Sequence, residues 1–178
     1  MERDLKGFKS IDLVHSNISD ISFLRRATDL LDIDLSHTPV KDISILAELP
    51  YLNSIRLEGC PVSDISALRE NLILTDVDLN GTQVTDISAL RELIYLETVD
   101  LSNTRVEDLS PLFDLGQLRE LNLVGVPPIK DVSPILAMKS LGKLRLPVGT
   151  KFDEADSEKA RELDEVYIGE DRAFSRRE

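Results

Sequence analysis

Two apolar patterns alternate along this chain at a constant spacing. The first occurs in FKSIDLVHS (8–16), LLDIDLSHT (30–38), LNSIRLEGC (52–60), LTDVDLNGT (74–82), LETVDLSNT (96–104), LRELNLVGV (118–126) and LGKLRLPVG (141–149). Apolar residues on alternate positions, such as Ile33 and Leu35 or Val77 and Leu79, have the period of a half-buried β-strand. The second pattern lies between the strands and reads ISDISFL, VKDISIL, VSDISAL, VTDISAL, VEDLSPL and IKDVSPI. Its aspartate falls at 20, 42, 64, 86, 108 and 131, a period of 22 residues lengthened once to 23. A fixed period of this size marks a stack of repeated units, so the repeat has to be placed before any site is sought.

The second pattern predicts a corner. Ser22, Ser44, Ser66, Ser88, Ser110 and Ser133 stand where a short helical turn should begin, and Pro111 and Pro134 follow two of them. Serine as the capping residue with proline next is a helix-start signature. Asp20, Asp42, Asp64, Asp86, Asp108 and Asp131, two residues earlier, can accept from the serine backbone N–H in an Asx-turn. A column of aspartates also suggests calcium-binding solenoids. Those use glycine-rich turns with several ligands per short repeat, whereas here one Asp per repeat sits beside an apolar residue and a serine.

Over residues 8–152 the form L-x-x-I/V/L-x-L-x-x-T resembles the leucine-rich repeat, in the short 22-residue type of bacterial internalins and of a phosphatase regulatory subunit. The resemblance implies an α/β solenoid: a curved right-handed coil with a parallel concave β-sheet of seven or eight short strands and short convex helical turns. The family places Asn nine positions into each repeat, where this chain has Ser16, Thr38, Cys60, Thr82, Thr104 and Val126. Hydroxyls can make part of that ladder; Cys60 and Val126 make less or none. The extra residue, in VGVPPIKD, predicts a bulge near Pro127 and Pro128.

The expected organisation is one solenoid over 1–152, with repeats starting near 8, 30, 52, 74, 96, 118 and 141, then a cap over 153–168 and a flexible tail over 169–178. The cap is read as a helix from Glu154 to Leu163 and a last strand, Val166–Ile168. An open solenoid exposes an apolar layer at each end unless it is covered. At the amino end Leu5 and Phe8, another chain or a further domain must cover the first coil.

Composition narrows the functions. The net charge is −12, which opposes binding to nucleic acid and to anionic membranes. No apolar run is long enough for membrane insertion. MERDLKGFKS has charges of both signs and no apolar core, so the chain as written is expected in the cytoplasm, or exported if a leader was removed. The single Cys60 has no disulfide partner. His15 and His37 fall at equivalent places one repeat apart, without an evident third ligand. No phosphate loop, nucleophile elbow or zinc spacing is present, so neither catalysis nor a metal or cofactor is expected.

What remains is the concave face, where residues between the buried strand positions point outward. It presents Asp12, Asp32, Asp34, Glu58, Asp76, Asp78, Asp100 and Glu120 with Asn80 and Asn122, against the bases Arg56, Lys143 and Arg145. Like charges on adjacent strands repel, so this column is not there for stability alone, and Arg56 between Asp34 and Asp78 relieves some of that repulsion. No aromatic falls on this face; Tyr51 and Tyr95 lie on one edge, two repeats apart. The expectation is a non-enzymatic module that binds another protein, one with a basic surface, on its acidic concave face. Alternatives are an inhibitor or immunity protein neutralising a basic enzyme or toxin, and a structural spacer in a larger assembly.

Overall fold

The computed structural model describes residues 5–169 and 171–175. Seven short strands recur once per repeat: β1 (Ser10–Asp12), β2 (Asp32–Asp34), β3 (Ser54–Arg56), β4 (Asp76–Asp78), β5 (Thr98–Asp100), β6 (Glu120–Asn122) and β7 (Lys143–Leu146). An eighth, β8 (Glu165–Ile168), continues the stack, and β1 to β8 pair parallel in sequence order within one sheet. The register advances by one repeat each time, with Ile11 beside Ile33, then Ile55, Val77, Val99, Leu121, Leu144 and Val166. Because side chains alternate across a strand, this register turns one apolar column inward and leaves the flanking acids outside.

The inner columns are nearly dry. Leu35, Leu57, Leu79, Leu101, Leu123 and Leu146, which leave each strand, are all fully buried, as are Leu30, Leu52, Leu74, Leu96 and Leu118, which enter them. A single apolar cluster runs from Ile21 to Val166. The first coil is the exception: Ile11, Leu13 and Ile18 are only half-buried. Of the two residues expected to cover it, Leu5 packs against the core while Phe8 remains 52% exposed.

Each corner is closed by a carboxylate. Oδ1 of Asp20, Asp42, Asp64, Asp86, Asp108 and Asp131 accepts from the backbone N–H two residues on, at 2.7–2.9 Å. Short 3₁₀ turns follow in five coils, and a short helix, α1 (Ser133–Leu136), in the sixth. The serine is the first residue of the turn rather than its cap, and its side chain makes no capping bond. This corrects the expected serine cap by one residue, and Pro111 and Pro134 sit second in their turns. The physical reason is that the aspartate reaches the first free N–H before the serine can. In the first five corners the serine hydroxyl instead donates toward that carboxylate, and the bonds from its backbone and then its side chain hold those acids below the ordinary value; Asp131 is lowered first by the Ser133 backbone bond.

Asp86→Ala is therefore expected to lower the melting temperature by a few degrees, and Ser88→Ala by less, since the serine N–H remains. A carboxyl whose folded pKa is depressed contributes stability above its unfolded value, here 3.8, and loses it as pH falls through the lower folded value. The gap between wild type and Asp86→Ala should thus be open near neutrality and close in acid below that value. Equal losses for the two substitutions in thermal melts would reverse the assignment of roles.

The carboxyl end is capped by α2 (Glu154–Ala160), whose first turn is held by Asp153 Oδ1 accepting from Asp156 N–H at 2.8 Å. The helix stops before the expected Leu163, which lies buried in the turn that follows. Asp156 is itself buried and accepts from Ser133 Oγ at 2.9 Å, tying the cap to α1. Within the span read as a flexible tail over 169–178, Asp171–Ser175 form β9, antiparallel to β8. So short and polar a segment offers no periodicity, and the strand exists because β8 presents a free edge. Residues 1–4, 170 and 176–178 lie outside the described residues.

Candidate partner-binding surface

The acids predicted to face outward are brought together by the register. Asp34 pairs with Arg56, Arg56 with Asp78, Asp78 with Asp100 and Asp100 with Asn122, while Asp12 precedes them and Arg145 follows. A second column joins Asp32, Ser54, Asp76, Thr98, Glu120 and Lys143. Parallel strands are spaced about 5 Å apart, so neighbouring side chains of a column meet the same solvent.

The central column has a structural duty that the sequence reading missed. Oδ1 of Asp12, Asp34, Asp78 and Asp100 accepts from the backbone N–H of Val14, Ser36, Asn80 and Ser102 at 2.8–3.0 Å, and Asn122 Oδ1 from Val124 at 3.2 Å. Each closes the turn that leaves its strand, as the corner acids do on the other side of the coil. A signal was present: DLS at 34–36 and 100–102 has the D-x-S spacing of the corners, so in these two repeats the motif occurs twice. Arg56 and Arg145 are the members of the column that cannot accept. The carboxylates therefore close the exits of their own strands in addition to charging the face.

The electrostatics are uneven along the face. Asp78 is held above the ordinary aspartate value, first by burial and then by Asp100 and Glu58, against the Asn80 N–H bond and Arg56. Asp100 receives two further bonds, from the Ser102 hydroxyl and from Asn122 Nδ2, the latter at 2.7 Å. At the carboxyl end the bases are engaged within the protein: Lys143 pairs with Glu120 at 3.4 Å, and Arg145 stacks over the Tyr167 ring at 4.6 Å. Tyr167 sits beside Arg145 on β8, so the face does carry an aromatic. The expectation of none fails because it stopped at the seventh repeat. Negative charge is concentrated over β2 to β5.

The loop beyond the strands explains the two histidines. His15, His37, Gly59, Gly81, Asn103 and Gly125 all have φ between 56° and 77°. This left-handed region suits glycine and tolerates asparagine and histidine. The rings of His15 and His37 stack at 4.7 Å with planes 8° apart, and His37 Nε2 lies 3.6 Å from Glu58 Oε1. Among the described residues no group of three or more His, Cys, Asp or Glu could hold a metal ion. In place of an asparagine ladder, the hydroxyls of Thr38, Thr82 and Thr104 donate to the carbonyl of the leucine three residues earlier at 2.6–2.7 Å. Cys60 Sγ donates to Leu35 O at 2.9 Å, in the preceding coil.

Parallel strands stacked one coil apart, each followed by a short helical turn, define a leucine-rich repeat solenoid with the sheet on its concave side, and the chain is a leucine-rich repeat protein. It is similar to an internalin (inlF) from Listeria monocytogenes at 27% identity and a TM-score of 0.76, over 85% of this chain and 44% of that one. Internalin C2 (inlC2) of the same organism is 25% identical with a TM-score of 0.79, over 90% of this chain and 69% of that one. The ectodomain of the plant receptor kinase GASSHO1/SCHENGEN3 from Arabidopsis thaliana, solved in complex with CASPARIAN STRIP INTEGRITY FACTOR 2, shares the fold at 19% identity and a TM-score of 0.68, over 84% of this chain and 20% of that one. This chain thus spans less than half the length of the inlF chain. No protein-family model and no curated protein matches it. No helix among the described residues is long and apolar enough to cross a membrane.

Proposed function

We propose that this protein is a non-enzymatic recognition module that binds another protein on its concave acidic face, the partner presenting a basic surface. Leucine-rich repeat neighbours point to protein recognition in general, and the plant ectodomain is solved with a bound factor. The observation that carries the reading is the raised Asp78: a partly buried carboxylate kept next to Asp100 and Glu58, where an asparagine would close the same turn without the charge. Opposed basic charge relieves that cost on binding. Such complementarity acts chiefly on association rate and selectivity, and salt screens it.

The test uses Asp78→Asn with Asp100→Asn, because asparagine keeps the oxygen that closes each turn and removes the charge. Association with the partner captured on the wild-type protein is expected to slow about fivefold or more at low salt and to lose much of its salt dependence. The melting temperature should change little at neutral pH, since removal of the penalty on Asp78 is set against loss of the Asn122 Nδ2 bond to Asp100 Oδ2. Association at the wild-type rate in low salt would show that the concave face is not the docking surface.

A further inference from the structure

Six equivalent turns lead into β2 to β7, each closed by a backbone bond across a two-residue tip. Leu30, Leu52, Leu74, Leu96, Leu118 and Leu141 donate to the carbonyls of Ala27, Leu49, Asn71, Leu93, Leu115 and Met138. The residues on both sides of every tip are buried, so the tips themselves stand at the surface. Three tips have the composition that turns favour, Thr28-Asp29, Gly116-Gln117 and Lys139-Ser140. The three between them read Pro50-Tyr51, Leu72-Ile73 and Ile94-Tyr95. Polar pairs close the same turn on the same kind of buried anchors in this very chain. Neither the turn nor the core therefore asks for these apolar side chains.

They are nevertheless well exposed: Tyr51 54%, Leu72 55%, Ile73 40%, Ile94 53% and Tyr95 47%. Backbone bonds just after the tips, from Thr75 N to Asn53 O and from Glu97 N to Thr75 O, both at 2.8 Å, fasten the three coils to one another. Asn53 Nδ2 adds a bond to Ile73 O at 3.2 Å. The tips are thus held in a row at about the 5 Å spacing of the strands, as one apolar ridge on the edge of the solenoid. Contiguous exposed apolar surface with polar surroundings marks interaction sites.

The charge around the ridge says what it takes. The exposed Glu48, Glu70 and Glu92 enter these turns, Glu97 leaves the last of them, and Asp76 follows one residue after Thr75. Arg69 and Arg91, the nearest bases before the tips, act on the corner acids Asp64, Asp86 and Asp108. We infer that the ridge of Tyr51, Leu72, Ile73, Ile94 and Tyr95 docks a segment of a partner protein whose aliphatic or aromatic side chains are flanked by lysine or arginine. A second copy of this chain fits poorly, because a two-fold pairing of ridges would set one row of glutamates against the other. This surface is separate from the concave face.

Random peptides displayed on phage, selected on the wild-type protein at low salt, provide the test. The expected winners carry adjacent large apolar residues with flanking lysine or arginine. Synthesised, they should bind Leu72→Glu with Ile94→Glu roughly tenfold more weakly or worse, and bind Asp78→Asn with Asp100→Asn as well as wild type. Both tip residues are exposed, so the melting temperature of the tip variant should be unchanged. Winners without that signature, no winners, or equal binding to the tip variant would overturn the inference. Loss of binding only in the Asp78/Asp100 variant would assign the peptides to the concave face and overturn it too. A concentration-dependent dimer in sedimentation, abolished by the tip substitutions, would replace the partner by self-association.

Discussion

Leu57→Ala is expected to lower the free energy of unfolding by about 3–5 kcal/mol, the larger end of what a buried leucine truncation costs. Leu57 leaves the third strand with no exposed surface, between Leu35 and Leu79, which are equally buried. Its neighbours belong to coils whose spacing is set by backbone bonds on either side, Leu35 N to Arg56 O and Leu57 N to Asp78 O, both at 2.9 Å. The coils cannot close over the gap, so the cavity term persists alongside the lost transfer free energy. Leu13, the same position in the half-covered first coil, should lose only about 1–2 kcal/mol when truncated. Urea denaturation of both variants tests this. Equal losses would mean that the first coil is buried as deeply as the third.

Asn71→Leu is expected to raise stability by about 1–3 kcal/mol, an unusual direction for a fully buried residue. Asn71 occupies the inward place held by Leu49, Leu93 and Leu115 in other coils. Its Nδ2 donates to Leu46 O at 3.0 Å and Leu49 O at 2.9 Å, but its Oδ1 is buried without a hydrogen-bond partner among the described residues. Both carbonyls already accept backbone bonds, from Leu49 N and Leu52 N. Leucine would therefore strand neither of them, and would remove the unpaired oxygen. A higher melting temperature is the expected reading. A lower one would show that the two amide bonds outweigh the orphaned oxygen.

The repeat itself was legible in the sequence because it is a matter of spacing. An aspartate every 22 residues and leucines at matching places determine the strand positions, the parallel order and the residues that face outward, since any other register would bury Asp34 or Asp78 in place of Ile33 or Val77. The corner bonds from Asp20 to Asp131 were legible for the same reason, being contacts between residues two apart. The partners of side chains were not. That Asp100 closes its own strand exit and also receives Asn122, that serine begins the corner turn instead of capping it, and that Cys60 bonds to a carbonyl one coil away are choices among groups of similar distance and chemistry. Periodicity does not distinguish them. The apolar ridge illustrates the limit best: Tyr51 and Tyr95 drew notice as aromatics, but Leu72, Ile73 and Ile94 look in the sequence like further members of the core. Only the turns that bury Leu74 and Leu96 decide that the pairs before them face water, because the chain reverses there and its tip has no coil left to pack against.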